Sequence, residues 1–278
     1  MTFSIAVSLG DAVGVAVASK FIAVGAIVPE VRIGVGAVAT QASARVSYRA
    51  DVLALLTQGL DAHTAVARVT AADEGRETRQ LGVATSTGAA TYTGSECMDW
   101  AGGIAGGDGT VGYYAIQGNI LTGADVVLAM EAAFVDSAGM PLDRRLLAAL
   151  LAGYAAGGDS RGRQGAALVV HAPGAGYDAG GILVDLRVDD HPQAPQELAR
   201  LLDLHDLYFD EPQDVQPLTG DLAAEVTRRL AALGHIGNDV DAALESWSGV
   251  ENYEMLLVAG GIDGRVLEAL RTATPDVA

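Results

Sequence analysis

TFSIAVSL (residues 2–9), then Gly10-Asp11, then AVGVAVAS (residues 12–19): two apolar runs joined by a short Gly-Asp turn read as a β-hairpin. Val13 to Ala18 is apolar on consecutive residues, so this strand needs cover on both of its faces. Lys20, the only lysine of the sequence, follows the second strand directly. Removal of Met1 is favoured when the next residue is small, and it would leave a hydroxyl and a free α-amine together on Thr2. An α-amine has a reference pKa of about 8, so a good fraction is neutral at physiological pH and can accept the hydroxyl proton. A lysine close by would lower that pKa, because two positive charges disfavour each other. The first residue of the processed chain is therefore a candidate nucleophile with its own base. On Thr2 alone, a buried N-terminal strand without chemistry is the simpler reading, and the rest of the chain decides between them.

Composition narrows the field. The chain has 278 residues, half of them apolar, with Ala, Val and Gly dominant and aromatics few. The core is expected to consist of small and β-branched side chains packed closely. A formal net charge of −18 argues against a nucleic-acid or anionic-membrane surface, since both need a basic patch. One cysteine, Cys97, excludes an internal disulfide and fits a reducing compartment. The N-terminal region lacks the basic start of a signal peptide, and no run approaches a transmembrane span. A cytoplasmic protein is expected, without membrane or nucleic-acid partners and with a homo-oligomeric state.

Further strands are expected at 33–40, 80–85, 89–93, 113–117, 166–171 and 181–188. Helices are expected at 48–58, at 62–72 with Asp61 as N-cap, at 124–134 with Thr122 as N-cap, and from Pro141 to the Gly157-Gly158 stop. Antiparallel hairpins separated by helical pairs exclude the strand-helix alternation of a doubly wound sheet. Two sheets packed on each other, each covered outside by a helical pair, satisfy the pattern: a four-layer αββα sandwich of the α+β class over residues 1–195. From Pro192 the chain becomes more charged and helical. A linker helix is expected at 196–204, and helices at 218–233, 240–247 and 266–272 form a small C-terminal module over 202–278.

Several stretches then look familiar. TFSI at residues 2–5, GVAVASKF at 14–21, Ala23-Val24-Gly25, GVGAVATQA at 34–42, Gln117-Gly118-Asn119 and GGDSRGRQ at 157–164 resemble an uncharacterised conserved family, domain of unknown function 1028. That family is assigned to the N-terminal-nucleophile (Ntn) hydrolase superfamily, whose fold is the αββα sandwich. The segment 202–272, through LHDLYF at 204–209, residues 225–234 and Glu251-Asn252-Tyr253, resembles a peptidoglycan-binding domain. Without an export signal, packing on the main domain or dimer formation is the expected role of that segment. Two departures stand out: the first hairpin turn is shorter than the charged turn associated with the family, and Gly165 occupies a position where the family more often carries serine.

The resemblance implies Thr2 as the nucleophile that attacks an amide carbonyl, with its own α-amine relaying the proton. Lys20 is expected near Thr2, tuning that amine; a surface lysine capping a strand end is the alternative. Asn119 is expected to donate to an oxyanion, against ordinary Gly-Asn turn chemistry. Asp159, Arg161 and Arg163 form the densest polar cluster and are expected to hold a substrate carboxylate, against a loop brace without a ligand. Gln41 and Ser43 are expected to line the same mouth. The histidines lack zinc-ligand spacing, and no metal or cofactor is expected. The expected function is cleavage of a linear C–N bond in a small, acidic amide substrate. A non-catalytic binding or assembly protein on the same fold, and a cell-wall-related amidase, are the alternatives.

Overall fold

The structure is a computed structural model that describes residues 2–277. Met1, on whose removal a free Thr2 amine depends, lies outside the described residues. The chain divides into two compact units, one running to Arg200 and the other starting at Leu201.

The first unit begins with the expected hairpin. Strands β1 (Thr2–Leu9) and β2 (Ala12–Ser19) pair from Thr2↔Ser19 to Leu9↔Ala12, and Gly10 supplies the left-handed turn residue at φ 55°. A short helix α1 (Val24–Ile27) and strands β3 (Pro29–Arg32) and β4 (Gly36–Ala42) follow. The strand expected at 33–40 is thus β4, which starts only at Gly36, and β3 before it was not expected. The chain reverses at Gly34, where φ is 72°, and the Val35 N–H closes the turn on Arg32 O at 3.0 Å. Helices α2 (Ser47–Thr57) and α3 (Ala62–Ala71) come next, with Asp61 accepting the Thr64 N–H at 2.8 Å as the expected cap.

Strands β5 (Arg79–Thr85), β6 (Gly88–Thr93), β7 (Gly102–Gly106) and β8 (Tyr113–Asn119) precede helices α4 (Asp125–Asp136) and α5 (Leu142–Ala155). Strand β7 is a stretch whose glycine content hides it from propensity rules. Thr122 is not the cap of α4; Ala124 holds that position without a side-chain bond, and the Thr122 hydroxyl meets Ala156 O at 3.5 Å. Strands β9 (Gly165–His171) and β10 (Ile182–Val188) and helix α6 (Ala194–Phe209) complete the series.

The ten strands form two wholly antiparallel sheets. One has the order β10-β9-β2-β1-β8-β7 and the other β3-β4-β5-β6. Strands β1 and β8 of the first pack on β4 and β5 of the second, α4 and α5 cover the first, and α2 and α3 cover the second. The period-two alternation of β1 explains its double burial. Phe3, Ile5 and Val7 point to the helical side, where Phe3 abuts Gly153 of α5. Thr2, Ser4 and Ala6 point between the sheets, where Ala6 joins Val15, Val17, Ala37 and Ala39. Among the described residues no helix is long and apolar enough to cross a membrane.

The second unit is not purely helical. Helices α7 (Gly220–Ala232), α8 (Val240–Glu251) and α9 (Gly264–Ala273) are joined by a small antiparallel sheet of β11 (Gln216–Pro217), β12 (Leu257–Val258) and β13 (Gly261–Ile262). Its core gathers Val226, Leu230, Leu244, Trp247, Leu267 and Leu270. Asp263, fully buried, caps α9 through the Arg265 N–H at 2.7 Å. Hydrogen bonds from Arg271 and Arg229 hold the Glu225 carboxyl down at about 2.

One polar side chain bridges the sheets at several points. Gln80 Nε2 shares its two N–H bonds among Gly118 O (2.7 Å), Thr93 Oγ1 (2.9 Å) and Gly102 O (3.1 Å). Its Oε1 accepts from Gln41 Nε2 (2.7 Å) and Asn119 Nδ2 (3.0 Å). Gln80→Leu leaves these partners buried and unpaired, which costs roughly 3 kcal/mol or more. Urea denaturation of the variant against the parent checks this, with a lowered midpoint as the expected result.

Candidate functional site

The pairing register sets three side chains in a row on the inter-sheet face. Thr2 lies opposite Ser19 on β2 and opposite Asn119 on β8. Residues directly opposite in antiparallel strands have Cβ atoms about 5 Å apart, so the two neighbours flank Thr2. The Thr2 and Ser19 hydroxyls are 3.1 Å apart, and the Thr2 carbonyl accepts from Gln41 Nε2 at 3.2 Å. Thr2 is 6 % exposed.

The carboxamides behind this row have fixed directions. Carbonyls at Gly118 and Gly102 can only accept, so Gln80 must turn its NH2 to them and its oxygen to Asn119 and Gln41. Asn119 therefore presents its NH2 to Gln80, which takes one of the two N–H bonds it can give. Ser4 Oγ accepts from Gln117 Nε2 at 2.7 Å and donates to Gln41 Oε1 at 2.7 Å. Gly82 gives Gln117 its place: a Cβ there would stand 2.0 Å from Gln117 Oε1. Asn119 is thus a strand residue and no turn. The backbone reverses one position later at Ile120, with φ 51°, a conformation costly for a β-branched residue. It is held by the Ile120 N–H on Met98 O (2.9 Å) and the Ser160 N–H on Ile120 O (3.3 Å).

Of the row, Ser19 alone reaches a cavity of about 450 Å³ whose wall also includes Phe3, Tyr154, Asp159, Arg161 and Arg163. Asp159 acts as a brace. Its Oδ2 accepts the Lys20 backbone N–H at 2.7 Å, and its Oδ1 accepts the Arg161 N–H at 2.9 Å. Arg161 Nη2 stands 3.4 Å from Asp159 Oδ2, while the Arg163 guanidinium stacks on the Tyr154 ring at 4.1 Å. The two arginines thus share one cavity in a strongly acidic chain. Gly165 is required by close approach, since a Cβ there would stand 2.7 Å from Phe21 O; a serine would not fit this backbone.

Three sequence expectations need restating in these terms. Lys20 is exposed, and its ammonium donates to Arg163 O at 3.2 Å; the side chain that meets the Thr2 hydroxyl is its neighbour Ser19. Gln41 is 1 % exposed and belongs to the inter-sheet network, with no mouth to line. Ser43 belongs to a separate cluster, where Arg79 Nη1 donates to its carbonyl at 2.5 Å and its hydroxyl at 3.0 Å. Sequence reasoning missed Ser19, Gln80 and Gln117. One signal was there to find: Gln41, Gln80 and Gln117 each stand next to apolar residues that read as buried strand. Among the described residues no three His, Cys, Asp or Glu side chains cluster as metal ligands.

Paired antiparallel sheets, with a threonine opening a central strand and a polar row across it, define the class of α+β protein to which this site belongs. The chain belongs to DUF1028, a family of unknown function, whose model matches residues 2–198. A second model, described as a putative peptidoglycan binding domain, matches residues 208–270. Among solved structures, the crystal structure of protein SPO2555 from Silicibacter pomeroyi, itself described as DUF1028, is 32% identical. The match covers 80% of this chain and 92% of that one, with a TM-score of 0.65. No curated protein matches this chain.

The Ser43 cluster carries a pH prediction. Asp73 accepts from Tyr48 Oη (2.8 Å), the Gly75 N–H (3.0 Å) and Arg79 Nε (3.1 Å), and pairs with Arg45 Nη1 at 3.0 Å. Burial alone would raise its carboxyl, but these bonds outweigh it and hold the group well below the ordinary carboxylate range. Burial, reinforced by the Asp73 carboxylate, pushes the Tyr48 phenol up. A depressed folded-state pKa contributes stability that is complete above the unfolded value of about 3.9 and lost as pH falls through the folded value. Asp73→Asn is therefore expected to melt on the order of 5 °C below the parent at neutral pH. Thermal melts over a pH series check the sign: the gap shrinks below about pH 4.

Proposed function

We propose that this protein is an N-terminal-threonine amidohydrolase of the Ntn type. The observation that carries the reading is the place of Thr2, first residue of central strand β1, turned between the sheets and flanked in register by Ser19 and Asn119. The succession of α4 and α5, six-stranded sheet, four-stranded sheet, and α2 and α3 is read as the four-layer αββα sandwich of that superfamily. With Met1 removed, Thr2 Oγ1 attacks an amide carbonyl and its proton goes to the α-amine. The C–N bond then breaks, the leaving nitrogen takes that proton, and water hydrolyses the ester left on Thr2. Asn119 keeps one N–H on Gln80 and offers the second to the oxyanion, a contribution of a few kcal/mol when preorganised.

The substrate proposed is a small amide that bears an acidic group. Its support is the cavity in which Arg161 and Arg163 stand together and which Ser19 joins to the Thr2 hydroxyl. Guanidinium groups suit a carboxylate because their donors form a planar fork. Lys20, although its side chain is exposed and turned to Arg163 O, enters as the cation of the adjoining loop, whose charge lowers the Thr2 amine pKa through space. Two observations favour other readings. The closed, hydrogen-bonded Thr2 hydroxyl suits a binding or assembly protein without turnover. The match over residues 208–270 suits a cell-wall-related amidase, which retention of the chain on purified sacculi tests.

Intact mass and periodate oxidation test the premise, since periodate cleaves a free 2-amino alcohol and leaves a blocked threonine alone. The processed chain is then screened on a panel of small amides beside two variants. Thr2→Ala is expected to abolish turnover with the fold intact, and Thr2→Ser to keep measurable activity. Lys20→Met is expected to move the acidic limb of the rate profile to higher pH, because loss of a neighbouring positive charge raises the amine pKa. Full activity in Thr2→Ala, or a retained Met1, would contradict the proposal.

A further inference from the structure

The inference made here rests on the reading of Thr2 as nucleophile. In that reading the hydroxyl proton must reach the α-amine of the same residue. The two atoms sit on adjacent carbons, so a direct O–H···N bond would close a five-membered ring. Its angle falls below the roughly 120° at which hydrogen bonds weaken steeply. A third group must accept from the oxygen and give to the nitrogen, and a hydroxyl does both.

Ser19 stands at the oxygen side of this requirement. Its Oγ is 3.1 Å from Thr2 Oγ1, and Ser19 is the register partner of Thr2 on β2. It is 2 % exposed, so bulk water competes poorly for the position. It also lies on the cavity wall with Arg161 and Arg163, and its carbonyl accepts the Gln164 N–H of the same loop at 3.0 Å. The next residue, Lys20, directs its ammonium to Arg163 O.

We propose that Ser19 is a catalytic residue that carries the proton between the Thr2 hydroxyl and the Thr2 α-amine. As Thr2 Oγ1 bonds to the carbonyl carbon, its proton passes to Ser19 Oγ and the Ser19 proton passes to the amine. This leaves a neutral Ser19, an ammonium and a tetrahedral oxyanion. When the C–N bond breaks, the proton returns through the same hydroxyl to the leaving nitrogen, and an ester remains on Thr2. Water then attacks the ester carbonyl, giving its proton along the same path, and the Thr2 hydroxyl is regenerated.

The test uses the full processed chain with p-nitrophenyl acetate as acylating probe. Release of p-nitrophenol gives the rate, and mass spectrometry locates a hydroxylamine-labile acetyl ester on the N-terminal peptide. The parent is expected to acetylate at Thr2 with a rate that rises through the amine titration and then levels. Ser19→Ala slows this about 100-fold or more and replaces the plateau by a rate that keeps rising with hydroxide. Ser19→Cys, of nearly the same volume, shows the same loss, which separates proton transfer from packing. Ser19→Thr restores most of the rate. Periodate still oxidises Thr2 in each variant, so the amine and hydroxyl are intact. Parent-like rate and plateau in Ser19→Ala and Ser19→Cys overturn the role of Ser19 and leave Thr2 as nucleophile. A loss that Ser19→Thr does not recover also overturns it. Acetylation of the parent anywhere but Thr2 overturns both readings.

Discussion

The carboxamide of Gln80 is the constraint from which the arrangement between the sheets follows. Its nitrogen is committed to carbonyls that can only accept, so its oxygen must face Asn119 and Gln41. That single choice sets the direction of both neighbouring amides and, through Ser4, of Gln117. A buried polar chain of this kind is stable only when every member is paired. The sheets are consequently held in one register, and the row Ser19–Thr2–Asn119 is held with them.

Small side chains make the chain of amides possible. Ala6, Ala37 and Ala39 fill the apolar part of the inter-sheet layer, and Gly82 leaves the volume that Gln117 takes. Larger residues would push the sheets apart and break hydrogen bonds of about 2.7 Å. The Ala- and Gly-rich composition is therefore a requirement of the polar network as much as of the apolar core. The second unit keeps its own anchors, with Asp263 under α9 and Glu225 between Arg229 and Arg271.

Much of the fold was legible because it is written in local chemistry. The Gly10-Asp11 turn, the Asp61 cap and the Gly157 stop each act over a few residues, and the structure places an element boundary at each. The break at Gly34 was missed because the apolar run continues through it, and β7 because glycine carries no periodicity. The short strands of the second unit are too brief for alternation to register. At the site, Thr2 and Asn119 were visible as residue types, and their pairing was not, since register depends on contacts distant in sequence. Lys20 and Ser19 show the same limit. Adjacent strand residues point to opposite faces, so being next to the right position places a side chain on the wrong side.

The account makes Thr2 Oγ1 the reacting atom, with Ser19 on one flank and Asn119 on the other. The most direct measurement is a crystal structure of the processed chain after reaction with a slowly hydrolysed acylating agent. The account predicts continuous density for an ester on Thr2 Oγ1, its carbonyl oxygen within hydrogen-bond distance of Asn119 Nδ2 and Ser19 Oγ beside the ester oxygen. An unmodified Thr2 still joined to Met1, or an acyl group on another side chain, would contradict it.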